Sequence, residues 1–343
     1  VYQAILDGRS GEGPVCVFPT ASASPQESME SAVERIDAVG GPGTAEGIFL
    51  SRDNPEDASL PEIAERIRGC SGFYFSGGSQ SRIVDVFRPE GGDTPAFQAL
   101  MERFQAGAVV SGSSAGAAMM SDPMIAGGGS VEALTVGIRA PDGEDGVRVD
   151  KGLGFLEDPL VDQHFLARGR WGRLLVAVLE TDAYTFGAGI DENTALVVDG
   201  DSALVVGASG VVFLDTRTVQ MAEEGRGASN VILHLLGDGD RVNLADGGVR
   251  FSEGKGPVFE AEAGPDLSSL DLFEDWNLLS FFAGSAASPE TEFAFTQDGF
   301  EFEFRKGDGY RAVAGSGGEG VQGLPPGLAA GPLHLTFDGT EQD

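Results

Sequence analysis

Val109-Val110-Ser111-Gly112-Ser113-Ser114-Ala115-Gly116-Ala117-Ala118 is the stretch on which the reading of this chain turns. A β-branched run stops at a glycine, and one serine then stands between two glycines in the pattern Gly-x-Ser-x-Gly. A strand that turns at once into a helix brings backbone close to backbone, so Gly112, Ala115 and Gly116 have to be tiny. The stretch reads as a nucleophile elbow. Ser114 is held at the carboxyl end of a strand, and the N–H of Ala115, at the helix start, is placed to meet a developing oxyanion. A serine of this kind works only beside a base, so the histidines come next.

The chain has three of them, His164, His234 and His334. His164 lies in Val161-Asp162-Gln163-His164-Phe165-Leu166-Ala167-Arg168-Gly169-Arg170-Trp171-Gly172-Arg173, a strand end running into a helix crowded with polar and cationic groups. That setting is unusual for a core histidine. His234 has apolar neighbours on both sides and reads as a structural residue in a strand, and His334 as a half-exposed strand position. A carboxylate should orient the histidine and stabilise its cation. Gly189-Ile190-Asp191-Glu192-Asn193-Thr194-Ala195 offers two, of which Glu192 is taken first and Asp191 second.

Together these segments resemble the cyanophycinase family, serine-type peptidases with a fold similar to class I glutamine amidotransferases. Pro19-Thr20-Ala21-Ser22, Phe75-Ser76-Gly77-Gly78-Ser79-Gln80-Ser81-Arg82, the Ser114 elbow, Asp162-Gln163-His164-Phe165 with its three arginines, and Gly189 to Ala195 line up in order between about Val15 and Val206. The Asp-Gln-His-Phe segment is the specific one, whereas the elbow is shared by many hydrolases. The resemblance implies an α/β three-layer sandwich with a mostly parallel central sheet, and a serine-type exopeptidase that uses no cofactor. Ser114 becomes the nucleophile, His164 the general base and Glu192 its partner. Gln80, Asp162, Gln163, Arg168, Arg170 and Arg173 fall on substrate-pocket positions, and a homodimer is implied.

Family members hydrolyse cyanophycin, a polyaspartate with arginine on each β-carboxyl, and release β-Asp-Arg dipeptides. The expected activity is therefore hydrolysis of β-aspartyl-arginine linkages in cyanophycin or related peptides. Arginines grip carboxylates bidentately, and an aspartate such as Asp162 suits a guanidinium. The opposing reading makes Arg168, Arg170 and Arg173 a solvated helix face. Two departures from the family stand out. Ser79 occupies a place where aspartate is usual, and Ser113 one where threonine is common. The chain also starts at Val1 with no legible glycine-ended strand before Val15. Two other functions are weighed: an α/β-hydrolase esterase with His334 as base, and a binding homologue that has lost turnover.

With 54 acidic against 22 basic residues the net charge is −32, which repels nucleic acid. Lysine appears only as Lys151, Lys255 and Lys306. Such a composition suits a salt-adapted cytoplasm or an exported protein, the cytoplasm being placed slightly ahead. No stretch approaches the length of a membrane span. Cys16 and Cys70 read as free structural thiols, with a single bridge as the alternative. No metal-ligand spacing is apparent, and Asp238 and Asp240 read as a turn.

Along the chain, strands at Val15–Phe18, Gly47–Leu50, Gly72–Phe75 and Val109 alternate with helices at Glu27–Val39, Leu60–Arg68 and Thr94–Gln105. Right-handed crossovers then put the Gly77-Gly78 loop beside Ser114, with Gly78 as a second oxyanion donor. Ala126 to Asp150, including Pro141-Asp142-Gly143-Glu144-Asp145-Gly146, reads as a surface excursion with a lid as the alternative. Hairpins follow Glu192. Residues 1–250 form the expected catalytic domain and 251–343 a small β-rich extension, with a helix from Leu270 to Phe282 and alternating phenylalanines packing one sheet face.

Overall fold

The computed structural model describes residues 1–139, 143–261, 264–316 and 320–339, so Pro141 and Asp142 of the acidic stretch lie outside the described residues. The fold is mixed α/β, and its contacts divide the chain into two compact units. The first holds Val1–Ala126 with Asp150–Glu157, the second Gly127–Val149 with Asp158–Asp343.

In the first unit, strands β1 (Val15–Phe18), β2 (Ala45–Gly47), β3 (Gly72–Phe75) and β4 (Val109–Gly112) form a wholly parallel sheet in the order β2-β1-β3-β4. Parallel strands need crossovers, and here they are α2 (Pro25–Gly40), α3 (Pro61–Arg68), and α4 (Gln80–Phe87) with α5 (Pro95–Gln105); α1 (Tyr2–Asp7) precedes β1 and α6 (Ala115–Ala118) follows β4. Both sheet faces are buried, which is why the strands read as continuous apolar runs. Val15, Val17 and Tyr74 pack against Ile5, Ala32 and Ile36 of α1 and α2. Cys16, Phe18, Phe73 and Phe75 point the other way, into Ile67, Ile83, Phe87, Phe97 and Leu100 of α3, α4 and α5. The period of two in the strands thus builds three layers. The strand expected at Gly47–Leu50 is displaced: β2 ends at Gly47, although Ile48 still donates to Val17 O at 2.9 Å.

Cys16 and Cys70 are joined in a disulfide, with Cα atoms 5.8 Å apart, which corrects the expectation of free thiols. The register explains it. Cys16 faces Phe73 across the β1–β3 pair, so the chain entering β3 carries Cys70 alongside β1. Two elements that look unrelated along the sequence are neighbours in the sheet.

Short strands β5 (Met124–Gly127) and β6 (Arg148–Asp150) flank the acidic stretch, which holds α7 (Ser130–Val136) between them. Ala133 and Leu134 of α7 are buried and Ser130 Oγ donates to Gly169 O at 2.6 Å, so this part is a packed helix rather than a solvated loop. The second unit continues with β7 (Leu160–Gln163), α8 (Trp171–Glu180), β8 (Phe186–Ile190), β9 (Thr194–Asp199), β10 (Ser202–Gly207), β11 (Val211–Asp215), β12 (Gln220–Met221) and β13 (Gly227–Leu236). Then come β14 (Arg241–Asn243), β15 (Val249–Arg250), β16 (Gly256–Pro257), α9 (Asn277–Ala287), β17 (Glu292–Gln297), β18 (Phe300–Ala314) and β19 (Ala329–Gly339). Its main sheet runs β16-β18-β19-β13-β11-β8-β7, with β12 on β13 and β17 on β18; β7 and β8 are parallel, the other pairs antiparallel. A smaller sheet has the order β15-β14-β10-β9.

The boundary expected at residue 250 falls inside this second unit, because β18 and β19 extend the sheet that contains β7 and β8. Phe293, Phe295, Phe300, Phe302 and Phe304 are all buried, and Phe281 of α9 lies 4.5–5.6 Å from the rings of Phe293, Phe295 and Phe304. Asp240 does more than turn the chain. Buried with Lys255 at 2.6 Å, it also accepts the Gly237 and Ser252 N–H groups, so the charge is paired and saturated.

Candidate active site

Ser114 stands in the first unit, at the junction of β4 and α6, with φ +52° and ψ −109°. That left-handed backbone is costly for a residue with a side chain, and here neighbouring backbone fixes it. A Cβ on Gly112 would lie 2.5 Å from Gly116 C, and one on Gly116 would run into Phe75 O. Ser113 N–H donates to Phe75 O at 3.0 Å, and Ala117 N–H to Ser114 O at 2.9 Å, which ties the elbow to β3 at one end and starts the helix at the other. Ala115, the first residue of the helix, has an N–H that no intrahelical carbonyl accepts.

The Gly77-Gly78 loop lies beside this turn, since a Cβ on Gly77 would touch Ser114 Cβ at 3.3 Å. Gly78 has φ +145°, and any side chain there would collide with the Ala21 carbonyl. Ser79 N–H donates to that same carbonyl at 2.9 Å, which seats the loop on the Pro19–Ser22 turn. Gln80, the first residue of α4, is buried and spends its amide on Ile125 O at 2.8 Å.

His164, Glu192 and the arginines belong to the second unit. His164 follows β7 directly with φ +49°, and its Nδ1 lies 2.8 Å from Glu192 Oε1, just beyond β8. An ionised carboxylate only accepts, so in this contact Nδ1 is the donor. The β7–β8 register brings the pair together by setting Gln163 opposite Ile190. Asp191 has a different job. Buried, it accepts the N–H groups of Leu166 and Ala167 at 3.1 and 3.0 Å and the Ser209 hydroxyl at 2.5 Å, pinning the turn that follows His164. Burial pushes its carboxyl up from the usual range.

The positions expected to form a substrate pocket divide by their partners. Both Asp162 oxygens are held by Arg173, Nε to Oδ2 at 2.7 Å and Nη2 to Oδ1 at 2.6 Å, in a pair almost wholly buried. Arg173 also donates to Gly128 O at 2.8 Å. Arg170 Nη1 donates to the backbone and side-chain oxygens of Gln163 at 2.7 and 2.9 Å. Burial, with Arg173 nearby, lowers Arg170 to about 10. Arg168 alone of the three is exposed. A solvated arginine face therefore describes Arg168 but not Arg170 or Arg173. Asp162 is occupied by an internal guanidinium.

His334 lies on β19 in register with Ile232 and Arg305, and its Nδ1 has no hydrogen-bond partner among the described residues. His234, on β13, is lowered to about 4 by burial. Sequence reasoning gave no role to the segment after residue 265, which supports the turn holding His164. Trp276 N–H donates to Leu166 O at 2.7 Å, Trp171 Nε1 to Leu272 O at 2.8 Å, and the Trp171 ring stacks on Phe273 at 5.1 Å. Trp276 stands in left-handed conformation ahead of α9 rather than within a helix from Leu270. Among the described residues no His, Cys, Asp and Glu cluster could hold a metal ion, and no helix is long and apolar enough to cross a membrane.

Residues 1–206 match the model of peptidase family S51. A cyanophycinase of Trichormus variabilis is 32% identical over 249 residues, covering 69% of this chain and 78% of its own length. One of Thermosynechococcus vestitus is 34% identical over 239 residues, covering 66% and 69%. Among solved structures, a peptidase from an acI-B1 Actinobacterium is 25% identical with a TM-score of 0.48, covering 65% of this chain and 87% of that one. The family match runs from the first strand through the elbow, the His164 turn and the Glu192 hairpin, and on that ground this chain belongs to peptidase family S51 and is a serine-type peptidase.

Proposed function

We propose that the enzyme is an exopeptidase acting on peptides built of β-aspartyl-arginine units, with cyanophycin or its fragments as substrate, through an acyl-enzyme on Ser114. The observation that carries the mechanism is the 2.8 Å pair of His164 Nδ1 and Glu192 Oε1, because it fixes the tautomer a base needs. Ser114 Oγ attacks the carbonyl carbon as its proton passes to His164 Nε2. Glu192 balances the imidazolium, and the N–H groups of Gly78 and Ala115 donate to the oxyanion. His164 then protonates the leaving amine, and water repeats the sequence to free Ser114. Release of an intact β-Asp-Arg dipeptide requires that the backbone amide between two units break, so the bond cut is that amide and the β-aspartyl-arginine linkage expected from the sequence stays intact in the product.

Substrate choice is supported by the curated relatives, which are named as cyanophycinases. In this reading exposed Arg168 meets substrate carboxylate, while the Asp162–Arg173 pair and Arg170–Gln163 hold the pocket wall. The homodimer belongs to the same proposal; sedimentation at twice the chain mass would support it, and sedimentation at the mass of one chain would remove it.

Incubation with insoluble cyanophycin tests the activity. The wild type should release β-Asp-Arg, and Ser114→Ala should fall by roughly 10⁴- to 10⁶-fold, to background. His164→Ala should be comparably inactive. Activity that survives His164→Ala but disappears in a folded His334→Ala variant would move the base to β19 and overturn the assignment.

A further inference from the structure

Glu27, Ser28, Ser31 and Arg35 recur at helical spacing, so one stripe of α2 carries hydroxyls and two opposite charges. The stripe borders a cavity of about 310 Å³ whose other walls include Tyr74, Ser76, Gly77 and Ser113. Ser113 precedes the nucleophile and Gly77 touches the Ser114 position, so the cavity opens beside the reactive serine.

Its floor is chemically unfinished. Ser76 is 4% exposed, and its Oγ is buried with no hydrogen-bond partner among the described residues. A buried hydroxyl without a partner destabilises a protein, so retaining one in a cleft next to a nucleophile makes sense if a ligand supplies the acceptor. Tyr74, pushed up to about 12 by burial, stays protonated and donates to Ser113 Oγ at 2.9 Å. Ser113 has thus filled an acceptor site and has its own proton to give. Arg35 is exposed at the rim, and the nearby Tyr2 phenol favours its charged form. Two hydroxyl donors below and a guanidinium above describe a carboxylate site. Glu27 on the same stripe disfavours a bare polyanion.

We propose that this cavity is the subsite for a carboxylate of the β-aspartyl-arginine unit beside the scissile bond, with Ser76 and Ser113 donating to it and Arg35 as its counter-charge. The proposal rests on the function read above and adds specificity residues that lie outside the family's arginine cluster.

The test uses the full chain, a β-Asp-Arg oligomer, and the same oligomer with its arginine carboxylates amidated. Arg35→Gln should raise KM for the free-acid oligomer about tenfold with kcat within about twofold, and the difference should vanish for the amidated one. Ser76→Ala should be at least as heat-stable as the wild type while binding the oligomer several-fold more weakly. Calorimetric binding to the Ser114→Ala protein, with and without Arg35→Gln, separates the two ideas. Binding that depends on Arg35 without any cleavage by the wild type leaves the subsite standing and removes the function. Cleavage with an unchanged KM in Arg35→Gln removes the subsite and leaves the function. An oligomer that is neither bound nor cut removes both.

Discussion

Asp191 and Glu192 are adjacent carboxylates with opposite fates, and the difference is their surroundings. Asp191 is 3% exposed and saturated by N–H and O–H donors, so it acts as scaffold, whereas Glu192 keeps a side chain 43% exposed and meets an imidazole. Spacing alone left the two as first and second choice, since either reaches forward from the end of the same strand. His234 gives a test at this scale. Burial, the largest influence, lowers it to about 4, Asp215 opposing and His334 adding to the shift. An unfolded histidine titrates near 6.5, so between these values the unfolded chain binds the extra proton. This contribution is intact above about pH 6.5 and lost as pH falls toward 4. Urea unfolding from about pH 7 down to 4 should therefore show wild-type stability dropping by roughly 3 kcal/mol more than that of His234→Leu. Parallel curves would mean that His234 is hydrated in the folded protein.

Among the elements, strands at Val15–Phe18 and Gly72–Phe75 were legible to the residue because both of their faces are buried and their apolar runs are bounded by turns. The α9 region was misplaced because Trp276 and the residues before it are shaped by contacts with the His164 turn rather than by helical periodicity. Fully buried Trp171, joined to Leu272 and Phe273, makes a segment beyond the family match part of the support for the His164 turn. The Cys16–Cys70 bond stitches β1 to the entry of β3 across a separation of 54 residues. Closing a loop of that length restricts the unfolded chain, so Cys16→Ala with Cys70→Ala, or reduction, should lower unfolding free energy by about 2–4 kcal/mol. Denaturant titration with and without reductant measures it, and coincident curves would show that the bond contributes nothing.

For the whole molecule, a net charge of −32 on 343 residues sets the response to salt. Self-repulsion is screened within about 10 Å at 0.1 M salt, and exposed ion pairs contribute little to offset it. The melting temperature should rise by several degrees between about 10 mM and 0.5 M sodium chloride. A fall would mean that pairs such as Arg68–Glu102 and Arg88–Asp122 outweigh the repulsion.

The sequence by itself determined the βα alternation, the elbow at Ser114 and the candidate base and acid, because apolar periodicity and obligatory glycines are local demands that each segment states for itself. Only the tertiary structure decided that Asp162 is already matched by Arg173, that two cysteines meet, that Ser76 lies buried with no partner among the described residues, and that strands after residue 300 join the sheet of β7 and β8. Each of those depends on which distant segments become neighbours. Register and packing fix that, and no single stretch of chain carries the information.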